Sequence, residues 1–203
     1  MRWMTGCLLA LAAVGLAAAE ETEFKPADGW LPLFNGKDLA GWKAVGRYKS
    51  EWAADGGVLA NPRESDSIYT EKSFLDFQLH LEFKLPKEGN SGVFLRGRKE
   101  VQVCDSWGKK ELDDQDCGGI FGKFAPAVNA CKAPGEWNRL DVTLVGRKVT
   151  VALNGKTTID AKMVNGVTGG QLDEDEDKPG PLMLQGDHSA VWYRNIWIRP
   201  LPK

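Results

Sequence analysis

Apolar and polar residues alternate with a period of two along most of this chain. The clearest stretch is 75–85, where Leu75, Phe77, Leu79, Leu81, Phe83 and Leu85 interleave with Asp76, Gln78, His80, Glu82 and Lys84. That period belongs to a strand with one buried and one polar face, not to a helix. Pro86 ends the run and Glu88-Gly89-Asn90 turns the chain. Residues 92–97 read as the next strand, with Val93 and Leu95 inward and Phe94 and Arg96 outward. Residues 100–103 follow, with Val101 and Val103 inward and Glu100 and Gln102 outward. Leu140, Val142 and Leu144, then Val149, Val151 and Leu153, repeat the pattern across a Gly146-Arg147 turn. Asn154-Gly155 is a strong hairpin signal leading into 157–159, and 180–185 and 191–198 add further strands. Roughly a dozen short strands with regular turns, and no sustained helical period, predict a single all-β domain, a jelly-roll sandwich.

The N-terminus follows a different pattern. Arg2 precedes an apolar run from Cys7 to Ala18, and Ala17-Ala18-Ala19 leads into Glu20-Glu21. This predicts a signal peptide over 1–19, cut after Ala19, and a mature domain over 20–203. The run is shorter than the ~20 residues that span a bilayer, so no stable membrane anchor is expected, and the mature protein is expected in the periplasm or secreted. The 203 residues, 42% hydrophobic, suffice for one full-sized core but hardly two. With 26 basic against 28 acidic residues the chain lacks the basic surplus of a general nucleic-acid binder, and 8 Trp and 8 Phe argue against disorder. The acidic run Asp173 to Asp177 reads as a solvated loop, since it lacks the spacing of a calcium-binding EF-hand.

Cys104, Cys117 and Cys131 remain after cleavage. An oxidising compartment permits one disulfide. Cys104–Cys117 and Cys117–Cys131 would each close a loop of about 13 residues, worth about 2–4 kcal/mol. Spacing leaves both pairings open; Cys104–Cys117 is the one expected, because it would tie a strand end to the acidic loop that leaves it. A zinc site is not supported, with no CxxC pair and no neighbouring His.

Candidate chemistry lies on one outward row. Arg96, Glu100 and Gln102 share a face by parity, and Asp105 joins it if Cys104 is a bulge. Alternate residues on a strand stand roughly 6.5–7 Å apart, a useful span for acid–base work on a sugar ring. The plain alternative is a surface ion pair of Glu100 with Arg96. Gln185 and His188 stand at a strand end, and Trp107 and Asn129 in the glycine- and proline-rich stretch after Asp105. Trp107 suits sugar stacking, and His80 reads as surface or sheet edge.

The motif Leu33-Phe34-Asn35-Gly36-Lys37-Asp38-Leu39, with Gly41-Trp42, resembles the opening of the 3-keto-disaccharide hydrolase (DUF1080) domain family. Further matches follow in order. They are Gly89-Asn90-Ser91-Gly92-Val93-Phe94-Leu95-Arg96-Gly97, Glu100-Val101-Gln102-Val103 with Asp105-Ser106, Pro134-Gly135-Glu136-Trp137-Asn138, Leu153-Asn154-Gly155, Gly180-Pro181-Leu182 with Leu184-Gln185 and His188, and Tyr193-Arg194-Asn195-Ile196 with Ile198. The chain departs from the family in having Ser189 after His188, where a glycine is usual, and Tyr193 for a phenylalanine. The segment after Trp107 is short and acidic.

The resemblance implies a concanavalin A-like, laminarinase-like sandwich that cleaves glycosides carrying a ketone at sugar C3. Such chemistry needs a base for the acidified C2 hydrogen, an electrophile for the enolate and an acid for the leaving oxygen. Glu100 or His188 is the candidate base, Arg96 or a bound divalent cation the electrophile, and Asp105 the acid or a metal ligand. Gln102, Trp107, Asn129 and Gln185 would position a glycoside or oligosaccharide substrate. No other cofactor is implied, and without a nicotinamide fingerprint the ketone must come from a separate oxidoreductase. A non-catalytic carbohydrate-binding module and a conventional laminarinase-like glycosidase are the alternatives.

Overall fold

A computed structural model of the chain describes residues 24–202, so the expected signal peptide lies outside the described residues. Among those described there is no α-helix. The strands are β1 (Leu31–Pro32), β2 (Trp42–Ala44), β3 (Ala53–Asp55), β4 (Val58–Asn61), β5 (Ile68–Phe74), β6 (Phe77–Lys84), β7 (Asn90–Leu95), β8 (Lys99–Cys104), β9 (Asn138–Val145), β10 (Lys148–Leu153), β11 (Lys156–Met163), β12 (Gly180–Leu184) and β13 (Val191–Pro200). They pair antiparallel in two sheets. One runs β11-β10-β9-β6-β13-β4-β3, with β1 also on β13; the other runs β2-β5-β12-β7-β8. The fold is the expected concanavalin A-like jelly-roll sandwich.

The alternation read from the sequence sets the core. Leu79, Leu81 and Phe83 of β6, with Leu140, Val142 and Leu144 of β9, face Val93 and Leu95 of β7, Val101 and Val103 of β8 and Leu184 of β12 across the sandwich. Each fully buried side chain of this size contributes about 1.5–3 kcal/mol. Tyr193 is buried among them, and its hydroxyl lies 2.9 Å from Ser91 Oγ, which donates to the Gln185 carbonyl at 2.7 Å. The phenol that replaces the usual phenylalanine therefore has a partner, as a buried hydroxyl requires.

Three expectations about the framework are corrected. Strand β7 ends at Leu95, and Arg96 and Gly97 adopt φ of 55° and 70° in the hairpin turn. Strand alternation stops there, so Arg96 does not continue the outward row. The acidic run is exposed as expected except at half-buried Glu176, but it also folds back over buried cations. Arg98 pairs with Asp173 (Nη2–Oδ2 3.0 Å), Lys99 Nζ with Glu176 at 2.6 Å, and Arg147 with Glu176 at 2.7 Å and with Asp177.

His80 has the predicted outward parity but is 0% exposed. Phe24 stacks on its ring at 3.6 Å, and its Nδ1 lies 2.7 Å from Asp141 Oδ1. Finally, Cys104, Cys117 and Cys131 are free thiols, so the expected Cys104–Cys117 disulfide is absent from this structure. Interaction with Cys104 and Cys131, together with burial, pushes the Cys117 thiol pKa up.

Candidate active site on the five-stranded sheet

The outer face of the five-stranded sheet carries two adjacent rows. Lys43, Tyr69, Met183, Phe94 and Glu100 are successive register partners from β2 to β8. The neighbouring row contains Gln185, whose N–H donates to the Gly92 carbonyl at 2.9 Å, then Gly92 and its partner Gln102. Directly paired residues share a face, so parity does place Glu100 and Gln102 together.

The expected solvent exposure is wrong: Glu100 is 3% exposed and Gln102 is also buried. The segment after Cys117 covers the free edge of β8, with Gly118 N–H on the Gln102 carbonyl at 2.8 Å and Phe121 N–H on the Glu100 carbonyl at 3.2 Å. Thr168, from the loop before β12, makes a 3.0 Å contact from its hydroxyl to Glu100 N.

Gly92 creates the space for the Glu100 side chain. A Cβ there would stand 2.8 Å from Glu100 Cδ and closer still to Oε1, so the carboxyl lies over the glycine. Burial is the main reason its pKa rises from 4.5 to about 8, and the negative charge of Asp187 adds to it, followed by Cys104. A carboxyl in this setting holds its proton at neutral pH. Beside it, Gln185 Oε1 and Asn90 Oδ1 are buried with no hydrogen-bond partner among the described residues. Such acceptors suit the hydroxyl groups of a ligand.

A cleft of about 340 Å³ opens on this face, with Phe94, Met183 and Gln185 in its floor and Arg47, Asp66 and Asp187 among its walls. His188 Nδ1 lies 2.9 Å from Asp187 Oδ1, with His188 half exposed. Ser189 fixes this loop by accepting from Asn90 N–H and donating to the Asn90 carbonyl, both at 2.9 Å. A larger depression of about 460 Å³ lies on the other sheet, around Trp30, Gln78 and Thr143. Asp141 is its one acidic group and is held by His80 and Arg139, so it offers no comparable acid–base pair.

The other candidates separate. Arg96 is 2% exposed and spends its guanidinium on the Leu75 carbonyl (2.6 Å), Asp76 (2.9 Å) and the Glu176 carbonyl (3.1 Å), away from Glu100. No bulge occurs at Cys104, which pairs in register with Asn90. Asp105 therefore leaves the row and accepts from Glu88 N–H at 2.9 Å and Trp107 N–H at 3.2 Å. Asn129 holds loop backbone, donating to the Ser106 and Lys109 carbonyls at 2.6 and 2.9 Å. Trp107 is 61% exposed and outside the cleft lining. Gln102 donates to the Gln115 carbonyl at 3.0 Å.

Three contributors escaped the sequence reading: Asp187, Arg47 and Gly92. Asp187 follows Gln185 by the same parity that selected Glu100, a signal that was available. Arg47 comes from a distant loop and carried no local signal. Among the described residues no cluster of three His, Cys, Asp or Glu side chains is arranged to hold a metal ion.

A protein of Parabacteroides distasonis ATCC 8503, provisionally named a glycosyl hydrolase, superposes with a TM-score of 0.72 at 33% identity, covering 86% of this chain and 84% of its own. A second from the same organism, similarly named, gives a TM-score of 0.70 at 26% identity over 86% of this chain and 94% of its own. A 3-keto-disaccharide hydrolase of Bacteroides thetaiotaomicron is 21% identical over 231 residues, covering 86% of this chain and 79% of the relative. The matched span, residues 29–199, takes in the hairpin under Glu100 and the loop bearing Asp187 and His188, and the chain belongs to the family of 3-keto-alpha-glucoside-1,2-lyase-like domains.

Proposed function

We propose that this carbohydrate-active protein cleaves glycosides whose sugar carries a ketone at C3, by elimination followed by hydration. One observation carries the reading: a buried carboxyl, Glu100, with its pKa raised to about 8, is the register partner of Phe94 in the floor of a cleft that Asp187 also lines. Two neighbouring carboxyls can divide acid and base work when burial makes one of them keep its proton. Asp187, backed by His188, is the base that takes the C2 proton. Glu100 is the general acid for the departing oxygen rather than the base. Gln185 and Asn90 accept from sugar hydroxyls.

The electron pair from C2 enters the enolate, then forms the C1–C2 double bond as the C1–O bond breaks. The leaving oxygen takes the Glu100 proton. Water addition to the enone completes net hydrolysis and returns the proton to C2. The ketone is made by a separate oxidoreductase, and the reaction takes place outside the cytoplasm after loss of residues 1–19.

The test compares a 3-keto-disaccharide with its unoxidised parent, following release of reducing sugar. Cleavage of the keto sugar alone is expected, and Glu100→Gln should lower kcat by about 10²–10⁴. Equal cleavage of both sugars would identify a conventional glycosidase. Binding of both without cleavage would identify a carbohydrate-binding module.

A further inference from the structure

With Arg96 committed elsewhere, another side chain has to meet the charge of the enolate. We infer that Arg47 supplies it: the guanidinium on the cleft wall donates to the C3 oxygen and holds the charge that develops there. This rests on the keto-glycoside reading. Among the described residues, Arg47 is the one cation that lines the cleft. It sits in the loop between β2 and β3, just past Val45, whose N–H donates to the Ser67 carbonyl at 2.9 Å and so carries the sheet edge into the cleft.

Asp66 is the obvious counter-ion, buried directly beneath the loop, yet it does not take the guanidinium. Its Oδ2 accepts the Gly46 N–H and its Oδ1 the Arg47 N–H at 3.4 Å. Gly46, at φ 90°, makes the turn that aims these backbone donors at the carboxylate. The backbone is thus tied down while the side chain is left over. Among the described residues the Arg47 guanidinium makes no hydrogen bond, ion pair or ring contact, whereas Arg96 and Arg98 are saturated by carbonyls and carboxylates. An arginine left over on the wall of the cleft that Asp187 also lines, and whose floor includes Phe94, the register partner of Glu100, is placed to meet new negative charge.

In the reaction the base removes H–C2 and the pair passes into the C3 carbonyl, giving an enolate oxygen. Arg47 donates hydrogen bonds to that oxygen without giving up a proton. The charge leaves it again when C1–O breaks and Glu100 protonates the leaving group. Donors aimed at charge that appears only in the transition state act on kcat rather than on ground-state binding, and removing one typically costs 10²–10³.

The experiment measures kcat and KM of Arg47→Gln and Arg47→Lys on a 3-keto-disaccharide, with pH profiles and thermal melts. Arg47→Gln should lose about 10²–10³ in kcat. KM should change little, the melting temperature should match wild type, and the alkaline limb set by Glu100 should stay at the same pH. Arg47→Lys should recover part of the rate, and added guanidinium should partly rescue Arg47→Ala. Arg47→Gln with kcat within about threefold of wild type overturns the assignment while leaving the keto-glycoside reading intact, and a displaced alkaline limb overturns it by showing that Arg47 acts through Glu100. Wild-type protein without ketone-dependent cleavage overturns both.

Discussion

Glu100 is a carboxyl that folding makes hard to ionise. Its folded pKa, about 8, lies above its ordinary value of 4.5, so the folded protein binds this proton more tightly than the unfolded chain. Stability contributed by the protonated carboxyl is complete below the ordinary value and is lost as pH rises towards the folded one. The slope is at most about 1.4 kcal/mol per pH unit over that window. Glu100→Gln keeps the shape without the ionisation. Urea unfolding at pH 5 and pH 8 should show the variant gaining on wild type by a few kcal/mol at the higher pH; parallel pH dependence would mean that Glu100 is not buried as described. The same shift places the alkaline limb of kcat/KM near pH 8, since a general acid must keep its proton. Gly92 offers a second check. Alanine there would drive its Cβ against the Glu100 carboxyl, which is the flexible end of a side chain and can swing away. Gly92→Ala should therefore lose at least about tenfold in kcat with a modest change in melting temperature; full activity would show that the carboxyl need not lie over Gly92.

At the scale of elements, the β7–β8 hairpin separates two jobs. Its strands carry Glu100 and Gln102 on the cleft face, while its turn turns Arg96 sideways into the cation cluster. The loop of residues 168–178 serves both ends. Thr168 touches Glu100 N, and Asp173 and Glu176 pair with Arg98 and Lys99. Burial decides which of these pairs matters. Lys99 is almost wholly buried, with Nζ also on the Val164 and Gly166 carbonyls at 2.8 and 2.7 Å, so Lys99→Met would strand several acceptors. That change should cost about 3–5 kcal/mol. Asp177 is exposed in its pair with half-buried Arg147, and Asp177→Asn should leave stability nearly unchanged. Urea titrations of the two variants check the ordering; equal costs would refute the ranking by burial. The strands here were legible from a period of two, and so was the sharing of a face by Glu100 and Gln102. The role of Arg96 was not, because the left-handed pair Arg96 and Gly97 ends the alternation. The fate of Asp105 was missed for the converse reason: β8 runs to Cys104 without the bulge that was assumed.

At the scale of the molecule, one core joins both sheets, and strands distant in sequence lie side by side: β6 pairs β13, and β5 pairs β12. Heat or urea should therefore unfold the domain in one transition, with circular dichroism and tryptophan fluorescence coincident, and non-local pairing places refolding in the millisecond-to-second range. Separate transitions for the two probes would mean that the sheets fold as independent units. This scale also divides what was readable in the chain from what was not. Alternation and turn residues are local properties, so the sequence by itself determined the all-β class, the inward set of β6 to β10 and the common face of Glu100 and Gln102. Burial depends on what another part of the chain lays over a face. Only the tertiary structure could decide that Phe24 covers His80, that the acidic run neutralises Arg98 and Lys99, and that Glu100 is closed from water. It alone brought Arg47 from one loop and Asp187 from another to the same cleft, because the charge and solvation of a group are set by neighbours in space and not by neighbours along the chain.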